Sequence, residues 1–349
     1  MKCTIQHIAD HLGLSRNTVS KALKNSSEVS ENTRNLVIKT ASKLGYKNAT
    51  FATPVIPASE TGSNGTILFL TRTYASDSEF WTTVLRGIES ILSNANYHLA
   101  ISIMSDSDLK QLNFPQTISD SSIKGIILVE ICDKVVCDAL SQFNLPIVSV
   151  DMPNVPFEEL NGIDVVTMES KKNLKKIINQ LIEKGAESFG FVGDLYSPNV
   201  SRGFQERYNA LSECLAEHQL PLNQKNCLLH QSQEYFQNFQ TTVNNLQAMI
   251  SLPDVFICGN DWTAIQLIYA LQFLGFQIPK DICVVGFDNI PAASRISPSL
   301  TTISTPQKYL GIAAARQILE RIQHPNCPHV FCQYETELII RNSTNITSF

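Results

Sequence analysis

Long apolar runs are missing from this 349-residue sequence: none approaches the roughly 20 residues that span a bilayer as a helix, so no membrane partner is expected. The opening residues, Met1-Lys2-Cys3-Thr4-Ile5-Gln6-His7, lack the apolar core of a secretory signal, and the expectation is a cytoplasmic protein. Paired cysteines are missing too. The nine cysteines are odd in number, scattered, and form no CxxC, so they are expected to be reduced and mostly buried. Asn-x-Ser/Thr triplets, as at Asn199 and Asn342, then carry no glycosylation meaning. Catalytic signatures are also absent: there is no GxSxG, no P-loop, no GxGxxG after a first strand and no HExxH. No cofactor is expected. What is present, 43% hydrophobic and 17% charged residues, excludes disorder. The length exceeds the roughly 250–300 residues at which a single core stops growing, which implies two or three units.

The charge is unevenly divided. Residues 1–50 hold eight basic and three acidic side chains, a net of +5, while the other 299 residues carry 19 and 29, a net of −10. A small basic unit joined to a larger acidic body points to a polyanion as partner of the first fifty residues. Within those fifty, Ile5, Ile8, Ala9 and Leu12 recur at helical spacing behind Thr4, a natural N-cap, and Gly13 ends the helix. Ser15 caps a second helix that buries Val19, Ala22 and Leu23 and leaves Arg16, Asn17, Ser20, Lys21 and Lys24 on its other faces. After a polar turn, Ser30 caps a third, whose inner face is Leu36, Val37, Ala41 and Leu44 before Gly45. Two short helices joined by a tight Gly-containing turn make a helix-turn-helix unit, whose second helix offers its N-terminal donors to base edges in a major groove. His7 and His11 lie four apart on the first helix, but no third ligand accompanies them, so no metal is expected and both read as surface residues.

These residues carry a resemblance. Thr4-Ile5, Ile8-Ala9, Gly13-Leu14-Ser15, Thr18 through Leu23, Val29-Ser30, Thr33-Arg34 and Leu44-Gly45-Tyr46 resemble the DNA-binding headpiece of the LacI family of bacterial transcriptional regulators. His11 stands in place of a usual small residue, Lys21 in place of arginine, and Asn48 where proline is expected. The resemblance implies a DNA-facing set of Thr4, Ser15, Arg16, Asn17, Ser20, Lys21, Asn25, Ser30, Thr33 and Tyr46, with Arg16 and Asn17 reading bases and Ser20, Lys21, Asn25 and Thr33 on phosphates. Lys21 keeps the charge but not the bidentate fork of arginine. In the family the linker forms a hinge helix whose apolar side chains wedge into the minor groove. Here Val55 or Ile56 would be the wedge, although Pro54 and Pro57 break helical geometry and leave a plain tether as the alternative.

Beyond Gly65, near-continuous apolar runs at Thr66–Leu70, Leu99–Ile103, Gly125–Val129, Pro146–Val150, Phe189–Val192, Val255–Cys258 and Ile282–Val285 predict strands buried on both faces. Helical segments such as Phe80–Leu92, Lys172–Lys184 and Thr263–Leu274 separate them, so the fold class is α/β with parallel sheets. Two groups of strands predict two doubly wound subdomains with a cleft at the strands' carboxyl ends. Pro253–Phe256, Gly259-Asn260-Asp261, Val284–Asp288, Pro298–Thr302 and Thr336–Leu338 resemble the periplasmic-binding-protein-like effector domain of the same family. The resemblance assigns effector contacts to Phe80, Trp81, Asp151, Arg207, Asn260 and Asp288, with Arg202 as an alternative arginine and Trp262 as a bulky departure near the pocket. Helix caps or core packing are the structural alternatives for these positions.

The division expected is a DNA-binding domain at 1–48, a linker at 49–64 and an effector-binding and dimerisation domain at 65–349. Its subdomains are expected at about 65–162 with 291–321, and about 163–290 with 322–345. The function expected is a sequence-specific transcriptional repressor controlled by a small polar metabolite, a sugar or sugar derivative, acting as a homodimer or tetramer on double-stranded operator DNA. The alternative is a sugar-binding α/β protein or an enzyme acting on a sugar.

Overall fold

Thr4 opens the first helix, α1 (Ile5–Leu12), as a capping box: its hydroxyl accepts from His7 N at 3.4 Å, and His7 Nδ1 accepts from Thr4 N at 3.3 Å. Gly13, at φ +64, closes α1 in the left-handed conformation that glycine adopts without a Cβ penalty. Ser15 accepts from Thr18 N at 3.0 Å and so starts α2 (Arg16–Leu23). Ser30 caps the third helical stretch in the same way, accepting from Thr33 N at 3.4 Å. Ile8, Ala9, Val19, Ala22, Val29, Val37 and Ala41 form the small core. Leu36 departs from expectation: it is 51% exposed, because Val37 and Ala41, one turn apart, already fill the inner face.

The computed structural model describes residues 4–23, 29–30, 33, 36–37, 40–41, 63–72, 78–153, 155–195, 202–229 and 238–346. Residues 1–62 and 63–349 form two compact units. Asn25, Tyr46, Val55 and Ile56 lie outside the described residues, so the linker geometry and the third helix's end are not described either.

The larger unit alternates strands and helices: β1 (Gly65–Thr71), α3 (Glu79–Leu92), β2 (Tyr97–Ile103), α4 (Asp106–Gln111), β3 (Ile123–Val129), α5 (Lys134–Ser141), β4 (Ile147–Val150) and β5 (Ile163–Met168). Then come α6 (Lys172–Glu183), β6 (Phe189–Val192), α7 (Arg202–Glu217), α8 (Phe239–Ala248), β7 (Val255–Cys258), α9 (Asp261–Phe273), β8 (Cys283–Asp288) and β9 (Thr301–Ser304). The chain ends with α10 (Gln307–Gln323), β10 (Phe331–Tyr334) and β11 (Glu337–Ile339). One sheet runs β10-β5-β4-β3-β1-β2 and is wholly parallel. The other runs β11-β9-β8-β7-β6, parallel except for the antiparallel β11 at its edge. In the first sheet the strand order reverses about β1, which opens a crevice at the carboxyl ends.

The pairing corrects the expected subdomain limits. β5 lies beyond residue 162 yet pairs with β4, Ile147 opposite Ile163, and so belongs to the first sheet. β9, expected with the first subdomain, pairs with β8 in the second, and β10, expected with the second, pairs with β5 in the first. The chain therefore crosses between lobes three times, after β5, after β9 and after β10. The late strands are short and rich in Thr, Gln and Tyr, so no apolar run announces them, and pairing across the sheet places them.

Candidate functional site

In the small unit, Arg16 and Asn17 are exposed at the start of α2, while Ser20 and Lys21 are half-buried along it. The N-terminal end of this helix is left to donors because its inward anchors, Val19 and Ala22 with Leu23 packed beside them, lie further along it. Thr4, Ser15 and Ser30 already spend a hydroxyl lone pair on a helix N-terminus, so any phosphate contact they make is additional to capping. His7 is likewise committed to the capping box.

In the large unit, the expected effector residues sit at the carboxyl edges of the two sheets. Asp151 follows β4 and Asp288 ends β8, at φ +78 and +116, 8% and 9% exposed. Left-handed backbone at a residue with a side chain is costly and concentrates at functional positions, and Glu130, after β3, shares it at φ +58. Arg207 lies on α7, 4% exposed, with its guanidinium 3.6 Å from the centre of the Phe287 ring and Nη1 donating to Gly259 O at 2.6 Å. Its Nε is buried without a partner among the described residues. Burial lowers the Arg207 pKa from the usual guanidinium range, opposed by the fields of Asp288 and Asp151. Burial pushes Asp288 well above the ordinary carboxylate range; Arg207 opposes this, and Asp261 and Asp151 add to it. One guanidinium and two carboxylates from two lobes thus share an electrostatic neighbourhood.

The other expected residues divide between structure and site. Asn260 caps α9, its Oδ1 accepting from Thr263 N at 2.9 Å. Phe80 and Trp81 pack edge to face at 4.6 Å at the start of α3, both within the core, and Trp81 Nε1 donates to Glu130 Oε1 at 2.5 Å. Arg202 pairs with Glu206 at 2.6 Å, and its backbone N donates to Met152 O at 3.1 Å, which joins the start of α7 to the first lobe. Trp262, half-exposed on α9, stands beside the fully buried Asp261.

Three residues of the cleft region went unassigned in the sequence. Asp261 accepts from Thr302 Oγ1 at 2.5 Å and Ile290 N at 2.9 Å, and burial pushes its carboxyl up to about 7. Gln307 Nε2 donates to Asp288 O at 2.6 Å, fixing the strand end that presents Asp288. Glu130 holds Trp81. Only Glu130 had a legible signal, an acidic residue closing an apolar strand as Asp151 does.

Comparison with known proteins decides the family. Residues 4–48 match the family model described as bacterial regulatory proteins, lacI family, and residues 178–344 match a periplasmic binding protein-like domain. The chain belongs to the LacI family. This LacI-family chain is 26% identical over 345 residues to the HTH-type transcriptional repressor PurR of Photobacterium profundum, covering 97% of this chain and 98% of the relative. It is 27% identical over 344 residues to the ribose operon repressor of Haemophilus influenzae, with the same coverage. A LacI family transcriptional regulator from Enterococcus faecium, solved with bound ribose, superposes with a TM-score of 0.65 at 25% identity, over 80% of this chain and 98% of that one. Members of this family are transcriptional regulators, not enzymes, which sets aside the enzyme alternative.

Proposed function

We propose that this LacI-family regulator is a cytoplasmic repressor, a homodimer whose paired headpieces bind a two-fold operator and whose interlobe cleft binds a polyhydroxylated metabolite, a sugar or sugar derivative. The carrying observation is the convergence of Arg207, with its unpartnered buried Nε, on Asp288 and Asp151 from two lobes. A hydroxyl both donates and accepts, so a diol completes the guanidinium and the carboxylates together. A ligand that touches both lobes favours one closure angle and can thereby change DNA affinity. Asp151, Arg207, Asn260 and Asp288 are the contacts in this reading, with Phe80 and Trp81 packing on the apolar face. Arg16 and Asn17 read bases, and Ser20, Lys21, Asn25 and Thr33 hold phosphates. Two headpieces are needed because one such unit covers a half-site. The domains are read as a headpiece at 1–48, a linker at 49–64 and an effector body at 65–349.

The test is selection of a binding site from random duplexes by the full chain, followed by gel-shift titration on the selected site with and without neutral sugars. Selection of a two-fold site whose affinity changes with one of the sugars is expected. Failure to select any duplex sequence overturns the repressor reading.

A further inference from the structure

We propose that Glu130 is a selectivity residue of the cleft: it fixes the Trp81 indole and turns away anionic ligands, so that the effector is an uncharged polyol rather than a sugar phosphate or a uronate. This rests on the cleft being the effector site.

The position follows from strand register. Thr71 pairs with Val129 and Val129 with Val150, so the next residues, Arg72, Glu130 and Asp151, leave neighbouring strands in one row at the carboxyl edge of the first sheet. Trp81, on the helix that follows β1, reaches this row through its Nε1–H on Glu130 Oε1. The indole is 8% exposed and braced edge-on by Phe80, so the carboxylate is the polar end of a clamp that sets the ring's plane.

Charge supplies the selectivity. Among the described cations near the cleft, Arg72 is bound to Asp106 at 2.7 Å and Arg202 to Glu206 at 2.6 Å. Arg341 is held by Asn289 Oδ1 at 2.7 Å and Leu300 O at 2.8 Å, and Arg207 is left in the fields of Asp151 from one lobe and Asp288 from its own. Glu130 and Asp151 act over a common region, since both add to burial in pushing the Cys132 thiol well up, and the Asp151 field reaches on to Asp288. A phosphate or carboxylate on the ligand would gain the Arg207 guanidinium and meet the Glu130 and Asp151 carboxylates at the strand ends in a poorly screened space. A neutral diol satisfies Arg207, Asp151 and Asp288 without that repulsion. The indole occupies one Glu130 oxygen, so Glu130 acts through its field and through the ring it holds.

Trp81 reports on this directly. The sequence has two tryptophans, so a full-length Trp262→Phe protein carries Trp81 as its sole indole. Quenching by acrylamide, which is neutral, is compared with quenching by iodide at constant ionic strength. The iodide constant is expected to lie about fivefold below the acrylamide constant, and Glu130→Gln, which keeps an acceptor for Nε1–H, should raise the iodide constant about threefold and leave acrylamide unchanged. Equal quenching by both agents, no effect of Glu130→Gln, or an equal rise for both would each overturn the proposal. A second arm compares thermal shifts with ribose against ribose 5-phosphate and galactose against galacturonate. Greater stabilisation of the parent by the charged member of either pair overturns it as well. No shift with any sugar would count against the sugar-effector reading, while the quenching result, which uses no effector, still decides the role of Glu130.

Discussion

Arg207 has lost most of its hydration, keeps one neutral hydrogen bond to Gly259 O, and leaves Nε unpaired, an arrangement that costs stability unless a ligand completes it. Asp288→Ala should abolish the ligand response yet keep ligand-free operator binding within about tenfold (roughly 1.4 kcal/mol) of the parent, measured by gel shift. A variant that still responds fully would remove Asp288 from the site. Arg16→Ala should relax operator preference at one base-pair position by about 1–3 kcal/mol, whereas Thr33→Ala should weaken all sequences alike. Binding to a panel of single-base operator variants separates the two outcomes. Asp261 makes a pH prediction. Its carboxyl titrates at about 7 in the fold against 3.8 for the unperturbed group, so the folded state holds the proton more tightly. This group therefore lowers stability as pH rises from about 4 to about 7 and has no further effect above. Asp261→Asn should flatten that part of the stability profile in urea titrations; an unchanged slope would mean the buried carboxylate is ionised throughout.

At the scale of elements, α10 returns the chain to the first lobe by packing on α3 and on β3, β4 and β5. α10 crosses α3 so closely that a Cβ on Gly87 would lie 2.2 Å from Lys308 O and one on Gly311 2.0 Å from Val84 O. Both obstacles are backbone and cannot swing aside. Gly87→Ala or Gly311→Ala should each cost about 1–3 kcal/mol or more through forced helix separation, read as a lowered urea midpoint. A midpoint equal to the parent's would show that the helices separate freely. Beside this crossing, Asp164 of β5 receives Arg321 Nη2 at 2.8 Å and Arg321 Nε at 3.0 Å, a buried pair that locks the end of α10 to the first sheet.

At the scale of the whole molecule, the basic headpiece and the acidic body divide the work. The full chain should bind duplex DNA with steep salt dependence, because each neutralised phosphate releases counterions, and residues 65–349 alone should not bind. Equal affinity of the truncated body, in filter binding across a salt series, would place the DNA contacts elsewhere. In the proposed reading the effector touches Asp151 on one lobe and Arg207 and Asp288 on the other, so lobe closure is the change through which it would alter DNA affinity.

Helix caps and apolar strands are local, so the sequence alone determined Thr4, Ser15 and Ser30 as starts, Gly13 as a stop, and the seven strands of the α/β body, although β2, at the edge of its sheet, leaves Ile101 51% exposed where burial on both faces was expected. The charge split and the donors of α2 were equally legible, since they need only composition and helical period. What tertiary structure decided is non-local. β5, β9 and β10 took their lobes from pairing partners more than a dozen residues away along the chain, against the limits the sequence implied. Trp81 and Glu130 lie 49 residues apart, and only the parallel register of β1, β3 and β4 makes them neighbours. Asn260 and Asp261 were adjacent in view, but burial alone separates the one that caps a helix from the one that holds a proton near neutrality. Spacing along a chain encodes which face a residue takes; the environment that shifts its chemistry is set by residues the chain brings there from elsewhere.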